Sequence, residues 1–174
     1  RVVPATIHVP VKDITKYLNG ELIEKTIKIT HQELTSRFAI PNPNIWISGL
    51  NPHAGEAGTI GDEENNFIIP AIKKLRSEGY SLVGPISADT MFYRKKRLKF
   101  DAAICMYHDQ ALIPIKTLDF HSSVNLTIGL SFIRTSPDHG TAFDIAGKNL
   151  ANPTSTIEAI KLAWKLVKKE KKDR

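Results

Sequence analysis

The stretch from Phe100 to Lys116, FDAAICMYHDQALIPIK, constrains the fold more than any other part of the chain. Asp101 precedes an apolar run, Ala102-Ala103-Ile104-Cys105-Met106, that is too short for a helix and has no polar alternation. Such a run reads as a strand buried on both faces, the kind found in parallel sheets covered by helices. It ends in Tyr107, His108, Asp109 and Gln110, just before a proline-containing segment. Open α/β sheets bind ligands outside the carboxyl ends of their strands, so function is to be sought there. A lone His-Asp pair serves equally well as the cap of the next helix. The design recurs, however: Thr6-Ile7-His8 follows an apolar start, and Ile45-Trp46-Ile47-Ser48 leads through Gly49-Leu50-Asn51-Pro52 to His53.

The remaining segments fit an α/β class. From Glu21, Leu22, Ile23, Ile27, Ile29 and Leu34 form a loose helical stripe that ends before Pro41. The glycines between positions 49 and 61 let that loop fold tightly around whatever His53 and Glu56 address. A helix is expected from about Asp62 to Ser77, opened by acidic residues, closed by Glu78-Gly79, and bent or split at Pro70. Tyr80 to Gly84 reads as a strand, and Pro85 to Thr90 as a strand-end segment carrying Asp89. Ser123 to Gly129 and Ser131 to Ser136 are extended pieces able to pair. His139-Gly140 then forms a turn approaching a short helix, where backbone N–H groups can meet a nucleotide. Thr154 or Ser155 caps a terminal helix with a broad apolar face, which puts Trp164 in the core or at an interface.

At 174 residues the chain is one large domain or two small ones, and 41% hydrophobic with 24% charged residues is a globular composition. No apolar run reaches membrane-spanning length, and no leader is visible. A chain that opens inside a strand reads as the downstream part of something longer. The single cysteine, Cys105, lies in the apolar run, which excludes disulfides, suggests a core thiol and points to a cytoplasmic compartment. The net charge of +6 comes largely from Arg94-Lys95-Lys96-Arg97 with Lys99, and from Lys165, Lys168, Lys169, Lys171, Lys172 and Arg174. Neither cluster is interleaved with stacking aromatics or joined to a recognition motif, so both read as solvated surface rather than nucleic-acid contacts.

If the strands are parallel, His8, His53 and His108 share one edge, where imidazoles can converge on a divalent cation. Three imidazoles leave open positions, which suits Lewis-acid work on a hydroxyl or carbonyl. Spacing alone leaves open whether they are ligands or hydrogen-bonded structural residues. Lys116, Asn125 and Arg134 lie downstream, where the two cations can hold a phosphate or carboxylate or form surface ion pairs. His31 reads as helix surface and His121 as loop.

Taken together and in order, GLNPHAGEAGTIGDEE, GPISADTMF, MYHDQALIPIK and VNLTIGLSFIRTSPDHGTAFDIAGK resemble the 4-hydroxythreonine-4-phosphate dehydrogenases of vitamin B6 synthesis. That family belongs to the isocitrate/isopropylmalate dehydrogenase-like α/β proteins, so the resemblance implies this fold, here without its amino-terminal part. It implies metal-dependent oxidation of the C3 hydroxyl of 4-phosphooxy-L-threonine by NAD or NADP. Loss of carbon dioxide then gives 3-amino-2-oxopropyl phosphate, a step toward pyridoxal 5'-phosphate.

By the same resemblance His8, His53 and His108 bind the divalent metal (zinc, cobalt or magnesium), with His108 and Asp109 catalytic. Lys116, Asn125 and Arg134 hold the phosphorylated hydroxy amino acid, and His139, Gly140, Thr141 and Ala142 meet the nucleotide. Residues 1–134 would then carry the metal and substrate segments, and residues 135–174 the nucleotide segment and terminal helix. The family is a homodimer whose metal site is completed across the interface, so His108 would serve the partner's site. No nucleic acid or membrane is expected as a partner. The alternative is a non-catalytic fragment, or a split-gene half that needs its amino-terminal partner. Ala57 and Thr59 stand where the family pattern has glycine and histidine.

Overall fold

In the computed structural model, which describes residues 1–170, the apolar run after Asp101 is an interior strand. It belongs to a parallel sheet of β1 (Val2–Pro4), β2 (Ile45–Ser48), β3 (Leu82–Ile86) and β4 (Ala102–Cys105), in the order β1-β4-β2-β3. Every residue of β2 and β4 is buried, the burial expected of strands covered on both faces. Alternation along each strand sorts these residues. Ile45, Ile47, Ala102 and Ile104 enter the larger core, whereas Trp46 and Ala103 point to a second cluster with Met91. There the Trp46 and Phe100 rings lie 5.4 Å apart. Cys105 is fully buried and burial pushes its thiol up to about 12, so it is a core residue and not a nucleophile.

Helices cover the sheet. A short α1 (Ile14–Tyr17) precedes α2 (Gly20–Ser36), which begins where the Asn19 side chain accepts a hydrogen bond from the Leu22 N–H at 2.9 Å. Of the stripe read from the sequence, Ile23, Ile27 and Leu34 are buried while Leu22 and Ile29 are only half-buried, and Thr30 and Glu33 complete the inward face. Pro70 does not split the next helix, which runs on through it with a change of winding just upstream. A π-helical turn, Glu64–Ile68, runs into α3 (Ile69–Ser77). A proline lacks an N–H and its ring collides with the carbonyl four residues back, and the wider π turn relieves both problems. Beyond β3 come the short helices α4 (Ala88–Met91) and α5 (Arg94–Arg97), and α6 (His108–Leu118) follows β4.

The chain divides into two units after Pro114, within α6. In the second unit β5 (Val124–Thr127) and β6 (Arg134–Pro137) form the antiparallel hairpin expected from the two extended pieces. It is followed by α7 (Thr154–Glu170), whose start differs from the sequence reading. Thr154 is itself the first helical residue, and the Asn152 side chain just ahead of the helix accepts from its N–H at 3.0 Å. Ser155 is buried instead: its hydroxyl donates to the Ser123 carbonyl at 2.5 Å and accepts from the Asp138 N–H at 3.0 Å, tying the helix to the hairpin ends. Because α7 lies on the hairpin through Ser155, Ala159 and Leu166, Ile160 and Trp164 face outward, and Trp164 is 62% exposed rather than core. Lys171, Lys172 and Arg174 lie outside the described residues. No helix among the described residues is long and apolar enough to cross a membrane.

Candidate functional site

Parallel pairing places the carboxyl ends of β1, β2, β3 and β4 on one edge, as the sequence argument required. Pairing continues past β1 through Ala5 N–H to Cys105 carbonyl (2.8 Å) and Thr6 N–H to Met106 carbonyl (3.2 Å). The Thr6 hydroxyl donates to the same Met106 carbonyl at 2.8 Å. This brings the His8 ring to 5.9 Å from that of His108, centroid to centroid, with a 39° tilt. His108 opens α6, and its Nδ1 donates to the Asp109 carboxylate at 2.7 Å. A carboxylate only accepts, so the neutral ring keeps its lone pair on Nε2. Gln110 is a brace. Its Nε2 donates to the Gly49 carbonyl at 2.9 Å, while its Oε1 accepts from the Ser48 hydroxyl at 3.0 Å and the Met106 N–H at 2.9 Å. The ends of β2 and β4 are thereby held in register with the loop that carries His53.

That loop has an unusual backbone. His53, Ala54, Gly55, Glu56 and Ala57 all have positive φ, between 42° and 75°, a left-handed turn in which only one residue is glycine. The sequence suggested that the loop folds around whatever Glu56 addresses, but Glu56 is exposed, and the loop closes on Glu64. The Glu64 carboxylate is 2% exposed. Its Oε1 accepts from the Leu50 and Asn51 N–H groups, both at 2.8 Å, and its Oε2 accepts from the Asn51 side chain at 2.9 Å. A Cβ on Gly55 would lie 2.6 Å from Oε2, and one on Gly49 2.9 Å from Oε1, so glycine at both positions lets the backbone close over the carboxylate. Left-handed non-glycine residues cost about 1–2 kcal/mol each, so the four here hold about 4–8 kcal/mol of strain. Hydrogen bonds to a charged acceptor contribute about 1.5–3 kcal/mol each, and the three at Glu64 are of comparable total size.

Ala57, at φ 58°, occupies one of these strained positions. Relief of its strain, about 1–2 kcal/mol, exceeds the about 0.4–1 kcal/mol that a glycine costs through unfolded-state entropy. Ala57→Gly is therefore expected to stabilise the chain by about 0.5–1 kcal/mol, seen as a higher urea midpoint at unchanged m-value.

Asp89, on α4 beyond β3, completes the charged groups of this edge. Its carboxyl is held below the usual carboxylate range first by the Ser87 hydroxyl, which donates to it, and further by His53 nearby. Among the described residues no three His, Cys, Asp or Glu side chains stand together as a metal-holding group. The adjacent pair is His8 and His108, with His53 carried separately on its turn. As a donor type, imidazole suits first-row divalent ions, so the chemistry of the three histidines fits such a group.

In the second unit, Lys116 donates to the Asp138 carbonyl at 3.0 Å, with the Asp138 carboxylate 3.9 Å away. The register pairs Asn125 with Ser136 and Thr127 with Arg134, so Asn125 and Arg134 share one face of the hairpin. Both are exposed, and Arg134 donates to the Thr127 hydroxyl at 2.7 Å. His139, Gly140, Thr141 and Ala142 line an open hollow with Ile145 and Asn149. Nothing lies within 4 Å of where a Cβ on Gly140 would be, which leaves room for a ligand to approach the backbone there. His31, on α2, packs edge-on against Tyr80, with ring centroids 4.8 Å apart. His121 lies in the turn before β5, 3.3 Å from the Asn152 side chain.

Residues 1–163 match the family model described as pyridoxal phosphate biosynthetic protein PdxA. A 4-hydroxythreonine-4-phosphate dehydrogenase from Roseobacter denitrificans is 60% identical over 163 residues, which cover 94% of this chain and 50% of that protein. The crystal structure of a 4-hydroxythreonine-4-phosphate dehydrogenase from Klebsiella pneumoniae superposes with a TM-score of 0.84 at 38% identity, covering 95% of this chain and 50% of that one. A terephthalate 1,2-cis-dihydrodiol dehydrogenase from Burkholderia xenovorans superposes with a TM-score of 0.75 at 34% identity, covering 94% of this chain and 52% of that one. The chain spans about half the length of the curated relatives it matches.

Proposed function

The chain belongs to the PdxA family of pyridoxal phosphate biosynthetic proteins, and on that premise we propose that it is the carboxyl-terminal half of a cytoplasmic, homodimeric dehydrogenase. The proposed reaction is oxidation of the C3 hydroxyl of 4-phosphooxy-L-threonine by NAD(P)+, with decarboxylation to 3-amino-2-oxopropyl phosphate. The observation that carries this reading is the His8–His108 pair at the carboxyl edge of the sheet, with Asp109 fixing the His108 ring.

His8, His53 and His108 would hold the divalent cation, the ligand set being completed between the two subunits. When bound, the cation supplies Lewis acidity that acidifies the alcohol and later offsets charge on the enolate, and NAD(P)+ accepts the hydride. The chain's own residues do the rest. Asp109 keeps Nδ1 of His108 protonated and so presents Nε2 outward. Arg134 suits bidentate recognition of a phosphate or carboxylate, Lys116 supplies a second positive charge, and Asn125 supplies an amide on the same hairpin face as Arg134. The hollow at His139, Gly140, Thr141 and Ala142 would take the nucleotide. In the balanced reaction C3 loses a hydride to the nicotinamide and its hydroxyl loses a proton. The β-keto carboxylate then sheds carbon dioxide, and the enolate takes up a proton.

The test is a chimera in which this chain replaces the matching half of the Roseobacter denitrificans relative. With substrate, NAD(P)+ and a divalent cation it should form NAD(P)H, and a chelator should stop the reaction reversibly. A folded chimera without cation-dependent turnover overturns the proposal. Turnover that appears only when the two halves are supplied as separate chains and mixed would identify a split enzyme instead.

A further inference from the structure

We propose that Glu64 is a positioning residue for His53: its buried carboxylate fixes the left-handed His53–Ala57 turn, and with it the direction in which that imidazole is presented. Where the argument concerns a cation it rests on the reading above.

Two of the three histidine-bearing segments, those of His108 and His53, are held in different ways. The His108 ring has its own carboxylate partner, Asp109. The His53 ring is exposed and has no hydrogen-bond partner of its own among the described residues, so its place depends on the backbone beneath it. That backbone runs through five consecutive left-handed residues, a conformation the sequence does not favour locally and that must be imposed from outside the turn. Glu64 is the group placed to impose it. The carboxylate accepts from Leu50 and Asn51 immediately before the turn, and Gly49 and Gly55 close over it with no space for a Cβ.

Burial makes the assignment sharper. No lysine or arginine pairs with Glu64 among the described residues, so this is a buried carboxylate satisfied by backbone and amide donors alone. A buried charge of that kind disfavours folding unless its donors are fixed, and the same rigidity holds the loop. Glu64 also sits on the first residue of the π turn, where the widened helix carries it toward the loop. Supporting groups beneath metal-binding side chains commonly set the metal affinity without touching the metal.

The experiment compares the chain with Glu64→Ala, Glu64→Gln and Leu75→Ala, the last a fully buried α3 residue outside the loop. Co2+ is titrated into each, and the His53 ring signals and the exchange of the Leu50 and Asn51 amides are followed by NMR. Glu64→Ala is expected to weaken Co2+ binding by about 10–100-fold, to move the His53 ring signals and to speed exchange at both amides. Glu64→Gln keeps one oxygen for the two backbone N–H groups and should recover most of the affinity. Leu75→Ala should lose stability yet bind Co2+ as the parent does. A folded Glu64→Ala that keeps both parental affinity and parental His53 signals overturns the proposal. If the parent chain alone binds no Co2+, the positioning role is decided by the His53 signals: they move in Glu64→Ala or the role is wrong.

Discussion

His108→Ala, made in the chimera with the Roseobacter denitrificans half, is expected to lower cation-dependent NAD(P)+ reduction by more than the roughly 100-fold that losing a supporting group costs. The substitution removes the ring beside His8 and leaves Asp109 without the imidazole it holds. Asp109→Asn should be milder, roughly 10–100-fold, because the ring remains but its tautomer and orientation are no longer fixed. The two variants differ in the chemistry they remove and hardly at all in folding, since the His108 side chain is 39% exposed and lies outside the core. Exposed substitutions typically change stability by about 0.5 kcal/mol or less. Parental activity in a folded His108→Ala chimera would remove this residue from the site.

The second large effect falls on the sheet. Ile104 is fully buried in β4, which has β1 on one side and β2 on the other. Truncating such a residue opens a cavity that close-packed neighbours fill only in part, and Ile→Ala costs about 2–5 kcal/mol. Domain stabilities are about 5–15 kcal/mol, so Ile104→Ala should remove a large share of the resistance to urea. Ile160→Ala, at a position 66% exposed on α7, should stay within about 0.5 kcal/mol of the parent. Equal urea midpoints for the two variants would contradict the burial pattern that makes β4 the centre of the sheet.

Much of this arrangement is legible in the amino-acid order because the controlling signals are local. The uninterrupted run from Ala102 to Met106 requires a strand covered on both faces, and β4 is buried at every position. Pro70 must disturb a helix, and it does. The extended pieces Ser123 to Gly129 and Ser131 to Ser136 contain the strands that pair as the β5–β6 hairpin. What escapes the sequence is set by contacts between distant residues. Glu64 reads as an ordinary acidic residue at a helix start, yet its partners are Leu50 and Asn51, and nothing periodic links them. The faint signal was the glycine pair, Gly49 and Gly55, facing a run of acidic residues. Ala54, Glu56 and Ala57 give no local hint of left-handed backbone, because that geometry is imposed by the loop's closure. Of the two places open to Trp164, core or interface, exposure removes the first, because the apolar positions of α7 outnumber those that the hairpin covers.

The proposed substrate separates this account from the other chemistry seen among structural neighbours, the oxidation named for the Burkholderia xenovorans dihydrodiol dehydrogenase. Both are dehydrogenase reactions, but only one substrate carries a phosphate, the group we assign to Lys116 and Arg134. The most direct measurement is therefore kcat/KM of the chimera for 4-phosphooxy-L-threonine and for an aromatic cis-dihydrodiol acid, with carbon dioxide release followed alongside NAD(P)H. The account predicts turnover of the phosphorylated substrate, one carbon dioxide per NAD(P)H, and a large loss when Arg134 is replaced. Preference for the dihydrodiol, or turnover indifferent to Arg134, would contradict it.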